Sequence, residues 1–139
     1  MAALPLAGSL PAWSATPIHV FKNPNCGCCV AWIDHLKAAG FAVKVTDTDD
    51  TISVRQRLGM PDRFGSCHTA TVEGYVLEGH VPASDVKRML SQRPKALGLA
   101  VPGMPVGSPG MEYGDRKDPY DVFLVERNGN ATVFASYAK

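Results

Sequence analysis

Residues 18–41 read IHVFKNPNCGCCVAWIDHLKAAGF, and the architecture turns on how this passage folds. Ile18 to Lys22 is a short β-branched and aromatic run, a buried strand candidate. Asn23-Pro24-Asn25 breaks it. Asn25 is a good N-cap, so a helix is predicted from Cys26 to Ala39, closed by Gly40. Cys29, Trp32, Ile33 and Leu36 repeat at i, i+3, i+4 and i+7, the stripe a helix turns toward a core. His35 falls off that stripe and is expected in solvent. Three of the chain's four cysteines, Cys26, Cys28 and Cys29, lie within four residues at the strand-to-helix passage. A disulfide uses two sulfurs, so the third needs another role.

Working outward, Phe41 to Thr46 alternates loosely and reads as a second strand. Thr51 opens a short helix through Leu58, ended at Gly59-Met60-Pro61. Thr69–Val72 and Tyr75–Leu77 flank Glu73-Gly74, a hairpin signal. Pro82-Ala83-Ser84-Asp85-Val86 starts a helix through about Leu90. The order β-α-β-α-β-β-α is that of an α/β, thioredoxin-like domain with a mixed central sheet and flanking helices. An irregular Gly/Pro-rich segment follows from Arg93 to Pro119. A loop that long in a small domain is functional or mobile. Val122–Glu126 and Thr132–Tyr137 flank Asn128-Gly129, which predicts a C-terminal β-hairpin.

Size and composition exclude several classes. The chain has 139 residues, 45% of them hydrophobic, enough for one domain with its own core. With 14 basic and 13 acidic residues it carries no electrostatic footprint for nucleic acid or an anionic membrane. The opening MAALPLAGSLPAWSATP is apolar up to His19 and reads as the end of a secretory h-region, with Ala12-Trp13-Ser14 as the processing zone. Residues 1–16 are thus expected to be a residual signal peptide or flexible N-terminal tail, and 17–139 a single domain. Two prolines in so short a stretch exclude a membrane span, and no later segment is long enough for one. No nucleophile elbow, zinc-protease helix, Walker loop or dinucleotide fingerprint is present.

The sulfurs carry the chemistry. Cys26 and Cys29 form a C-x-x-C pair at a helix N-terminus, where unsatisfied N–H groups and the helix dipole favour a thiolate. That pair alone fits a redox couple or half a metal site. Cys28 would point about 200° around an ideal helix from Cys26. Adjacent thiolates rarely share one tetrahedral zinc, but a cluster of several ions lets each sulfur face a different one. Close-set thiolates select Cu(I), with zinc as the competitor. Cys67, in Ser66-Cys67-His68-Thr69 before the third strand, is expected beside the other three. Met104 and Met111 offer soft thioethers from the Gly/Pro loop. His68 adjoins Cys67 and offers a nitrogen, and His80 is a further candidate near the site. His19 is expected to be a satisfied strand residue, and Trp32 and Met60 packing residues. Asp47, Asp49 and Asp50 resemble a hard-cation cluster but lead into a helix start, where acidic residues favour the dipole.

KNPNCGCCVAWIDHLKAAGF, MPDRFGSCHTATVEGYVLEGHVP and LAVPGMPVGSPGMEYGD together resemble the CopG-like family, small exported metal-binding proteins of bacterial copper-resistance loci long catalogued as a domain of unknown function. The resemblance covers about Thr16 to Lys139. It implies a thioredoxin-like fold in the periplasm and Cu(I) held by Cys26, Cys28, Cys29 and Cys67, as a multinuclear thiolate cluster with a role in copper handling or redox interconversion. The expected partners are copper ions and periplasmic copper donor or acceptor proteins; charge and segment length argue against nucleic acid and membrane insertion, and a monomer is expected. The expectation is a metal-binding protein ahead of an enzyme, with copper or thiol oxidoreductase activity as the enzymatic option. The alternative is a thiol-disulfide oxidoreductase with Cys26 as nucleophile and Cys29 as resolver. A structural zinc module is a third reading.

Overall fold

Strand β1, Ile18–Lys22, buries Ile18 and Val20 on one side and turns at Asn23-Pro24-Asn25 into helix α1, Gly27–Ala38. The computed structural model describes residues 17–139, so the leader reading of residues 1–16 lies outside it. The helix starts one residue later than Asn25 capping predicts. The Asn25 N–H bonds to Asn23 Oδ1 and the Cys26 N–H to the Asn23 carbonyl, which closes the turn on Asn23. Cys26 thereby becomes the N-cap, with extended backbone and no side-chain capping bond. At the other end Gly40 takes φ 97° and Phe41 donates back to the Leu36 carbonyl. Phe41 therefore belongs to the helix cap, and its ring enters the core. The second strand, β2, runs Val43–Asp47, later than the predicted start at Phe41.

The remaining elements are helix α2, Thr51–Arg57; a 3₁₀ turn, Asp62–Phe64; strands β3, His68–Val72, and β4, Tyr75–Glu78; helix α3, Ala83–Gln92; and strands β5, Gly98–Ala100, β6, Tyr120–Val125, and β7, Ala131–Tyr137. The strands form one seven-stranded sheet in the order β2-β1-β3-β4-β5-β6-β7. It is mixed: β1/β2 and β4/β5 are parallel, each pair linked by a helix, and the other neighbours are antiparallel. Between β3 and β4, Glu73 (φ 47°) and Gly74 (φ 84°) supply the left-handed pair a tight hairpin requires.

Strand β5 was not expected, because it lies inside the segment read as irregular. Its three residues are buried, and they pair with β4 and β6. A Cβ on Gly98 would stand 1.7 Å from the Val76 carbonyl oxygen, so only glycine allows this approach. Past β5 the segment is turns up to β6, apart from a bridge between Tyr113 and Arg116.

The sheet is covered on both faces. Helices α1 and α3 pack Trp32, Ile33, Leu36, Val86, Met89 and Leu90 against Ile18, Val20, Ala70, Leu77 and Leu99. On the reverse face Met60 and Phe64, from the segment after α2, join Val76, Leu97, Ala100 and Val125. No described helix is long and apolar enough to cross a membrane.

Candidate metal centre

The site lies where α1 begins, beside the loop that leads into β3. Cys26, Cys28, Cys29 and Cys67 present sulfurs that all lie within 4.8 Å of one another. Cys26 and Cys29 are joined as a disulfide, while Cys28 and Cys67 are free and half-buried. The Cys28 sulfur is 3.5 Å from that of Cys26 and 3.9 Å from that of Cys67. Helical spacing alone would send Cys28 away from Cys26. The two meet because Cys26 is a cap residue with extended backbone, so the 100° step does not govern its side chain. The first turn of α1 holds no acidic residue and no side-chain cap, so its free N–H groups favour negative charge on sulfur.

The Cys67 loop is anchored from below. Glu78, fully buried on β4, accepts from the Ser66 N–H at 2.8 Å and from the Thr69 hydroxyl at 2.5 Å. Its carboxylate stands 3.7 Å from the Arg55 guanidinium, which α2 delivers and Asp62 also holds. Burial pushes the Glu78 carboxyl up to about 7, against those hydrogen bonds and the Arg55 charge. Above the loop, Ser66 Oγ donates to the Gly103 carbonyl and Gly103 N–H to the Gly65 carbonyl.

Two histidines complete the floor. His68 and His80 are both fully buried. His68 Nε2 lies 2.8 Å from the Gly79 carbonyl, and His80 Nδ1 lies 2.6 Å from the Pro109 carbonyl. A carbonyl only accepts, so each of those nitrogens carries the proton. The opposite nitrogens therefore present lone pairs to sulfur. His68 Nδ1 is 3.3 Å from both Cys67 and Cys29, and His80 Nε2 is 3.1 Å from Cys67. Burial, and secondarily the neighbouring His80, lowers His68 to about 3; burial also lowers His80, opposed by its bond to Pro109. Burial first, then the nearby Cys28, pushes the Cys67 thiol up to about 12. A soft cation must therefore displace a proton from Cys67 to bind it.

Trp32 lies in the core as expected and stacks on the His68 ring at 4.2 Å, its indole N–H bonded to the Val81 carbonyl. The Gly/Pro loop reaches the site through its backbone. A Cβ on Gly110 would meet the Cys28 carbonyl at 2.8 Å, the Trp32 nitrogen at 2.9 Å and His80 Nδ1 at 3.0 Å. Of the two loop methionines, Met104 is 45% exposed and Met111 is buried. His19 bonds Thr46 within the sheet, Asp47 pairs with Lys22, and Asp50 caps α2 through Ser53. His35 is not solvated as predicted. It is half-buried and accepts the Ala83 N–H at 3.0 Å, because the start of α3 lies against α1. His80 does lie near the site, as the sequence reading expects, whereas sequence reasoning passed over Glu78. The usable signal for His80 was its place straight after the β3–β4 hairpin, whose return strand carries it back to His68.

A family model described as a protein of unknown function, DUF411, matches residues 64–111. No curated protein sequence matches the chain. Two solved structures do. "Copper resistance protein copG- Form 2" is 51% identical with a TM-score of 0.84, and "Copper resistance protein copG- Form 1" is 50% identical with a TM-score of 0.84. Each comparison covers 88% of this chain and 98% of the other. At that identity over nearly the full length of both relatives, the chain belongs to the family of the copper resistance protein CopG.

Proposed function

We propose that this protein is an exported, periplasmic copper-binding protein of copper resistance, which gathers Cu(I) through Cys26, Cys28, Cys29 and Cys67 as a multinuclear thiolate cluster. The observation that carries the reading is the convergence of four sulfurs within 4.8 Å at a helix N-terminus. Soft thiolates in such an array favour Cu(I), with zinc as competitor. The relatives' printed names supply the copper-resistance context. The mixed sheet with its β1-α1-β2 start and β3–β4–α3 continuation supports a thioredoxin-like domain over residues 17–139.

Loading requires the Cys26–Cys29 bond to open. A two-electron donor such as an external dithiol cleaves the S–S bond, leaving two thiols and an oxidised donor. Four sulfurs then face Cu(I), and the first-turn N–H groups of α1 offset the charge of the resulting thiolates. The Gly/Pro loop covers the cluster and gates exchange with copper donor or acceptor proteins. Met104 and Met111 are its soft outer donors, and His68 its nitrogen donor. In the test, reduced protein is loaded with Cu(I) under anaerobic conditions, the copper per chain is counted and a Cu(I) chelator is used in competition. More than one tightly held copper per chain is expected. Weak, substoichiometric binding ends the proposal.

One observation favours a second reading. The closed Cys26–Cys29 pair at a helix N-terminus is also the resting state of a thiol-disulfide oxidoreductase. Robust insulin reduction by metal-free protein would put that reading first.

A further inference from the structure

With the Cys26–Cys29 disulfide closed, the floor of the site still holds an imbalance of hydrogen-bonding groups. His68 Nδ1 and His80 Nε2 both carry lone pairs, because their other nitrogens donate to the Gly79 and Pro109 carbonyls. Both lone pairs point at Cys67 Sγ, from 3.3 Å and 3.1 Å. Cys67 has a single S–H proton, so it can satisfy only one of them. The next neighbour of His68 Nδ1 is the Cys29 sulfur at 3.3 Å, and a disulfide sulfur has no proton to give. One fully buried acceptor is therefore left over, and leaving a buried acceptor unpaired is unfavourable. A cation at the point of convergence satisfies all three atoms.

We propose that the disulfide-closed protein holds a divalent metal ion of borderline softness between Cys67 Sγ, His68 Nδ1 and His80 Nε2. The three donor atoms lie within 4.8 Å of one another. Around a tetrahedral ion with bonds of about 2.0–2.3 Å, neighbouring donors stand about 3.3–3.8 Å apart, and the two distances from Cys67 Sγ to the histidine nitrogens, 3.3 and 3.1 Å, come within a few tenths of an ångström of that. Each imidazole already makes the outer bond that fixes a ligating histidine, ring N–H to carbonyl. Trp32 stacks on one face of His68, and Glu78 holds the Ser66 N–H beside Cys67. Binding releases the Cys67 proton to solvent and moves no electrons. The mixed nitrogen and sulfur set suits zinc or Cu(II), whereas an all-thiolate set suits Cu(I). This site goes beyond the four-sulfur reading, since it uses neither disulfide sulfur and persists when that cluster cannot form.

The test uses the full chain with its disulfide intact and two thiols titratable. Co(II) is the spectroscopic probe, and Zn(II) displaces it. The expected result is one Co(II) per chain with a thiolate-to-cobalt charge-transfer band. Cys67→Ser should abolish the band. His80→Gln should weaken binding by at least about 100-fold, and His19→Gln, at a histidine bonded to Thr46 within the sheet, should change it by less than about tenfold. Imidazole ¹⁵N shifts of the unmodified protein keep the test valid if a variant fails to fold. His68 Nδ1 and His80 Nε2 should move on adding Zn(II), while their partner nitrogens keep the character of N–H donors. Absence of Co(II) binding, or ring nitrogens that do not respond to Zn(II), overturns the proposal. Neither outcome bears on the Cu(I) count of the reduced protein, so the two readings fail separately.

Discussion

Cys28 distinguishes the two functional readings better than any other residue. An oxidoreductase mechanism uses Cys26 and Cys29 and leaves Cys28 idle, whereas a thiolate cluster uses all three. Cys28→Ser is therefore expected to keep the Cys26–Cys29 couple and to lose at least one Cu(I) per chain, read by anaerobic chelator competition and by thiol counting. Cys67→Ser should also lower the copper count while leaving the disulfide in place. The residue types and spacing of this site were legible in the sequence, because sulfur chemistry is local to the letters C-x-C-C and S-C-H-T. The capping role of Cys26 was not. It depends on Asn23 closing the preceding turn through its side chain and carbonyl, a choice between Asn23 and Asn25 that composition does not make. His35 was misjudged for a similar reason. A helical stripe says which residues face the sheet, not which ones meet the end of another helix.

Two connections between elements carry measurable consequences. The His35–Ala83 bond ties α1 to the first turn of α3, which has no side-chain cap. His35→Ala should cost about 1 kcal/mol, seen as a drop in Tm of a few degrees. Burial lowers the pKa of His35, with the Glu112 charge opposing. Its contribution is therefore present above the ordinary histidine pKa and lost as pH falls through the lowered one. The second connection is the loop at Pro109-Gly110. Gly110 sits at φ 92° with Cys28, Trp32 and His80 atoms within 3.0 Å of where a Cβ would stand. Gly110→Ala should lift the loop from the site, cost about 1–2 kcal/mol and speed thiol alkylation of Cys28 several-fold. The β3–β4 hairpin was legible from Glu73-Gly74, a local signal. Strand β5 was hidden because Gly98-Leu99-Ala100 has neither alternation nor length. What makes it a strand is its position between β4 and β6, which only the folded sheet supplies.

At the scale of the whole molecule, Glu78 links the site to global stability. It joins β4, the Cys67 loop and, through Arg55, helix α2. Its pKa is raised from 4.5 to about 7 in the folded chain, so folding binds its proton more tightly than the unfolded state does. The stability this confers is full below the unfolded pKa and is lost as pH rises through the folded one. Urea denaturation of metal-free wild type and Glu78→Gln at several pH values should reveal it. The stability difference, wild type minus variant, should fall by about 1.4 kcal/mol per pH unit across that window. A difference that stays flat would mean that Glu78 is ionised throughout. The order of elements was readable from the sequence as far as α3. The two-sided burial of the sheet and the anchor beneath Cys67 were not, because they join residues from α2, β4 and the loop between the 3₁₀ turn and β3.

The way the Gly/Pro loop is fastened sets a limit for anyone hoping to transplant this centre. Three of its cysteines, Cys26, Cys28 and Cys29, fit a short synthetic peptide, yet the walls around them come from far along the chain. Gly103 clasps Ser66, Pro109 orients the His80 ring, and Gly110 rests on the backbone of Cys28 and Trp32. A miniature mimic would copy the donor atoms and leave them open to water and oxygen. Recreating the shelter means grafting three stretches separated by dozens of residues, together with the sheet that brings them side by side.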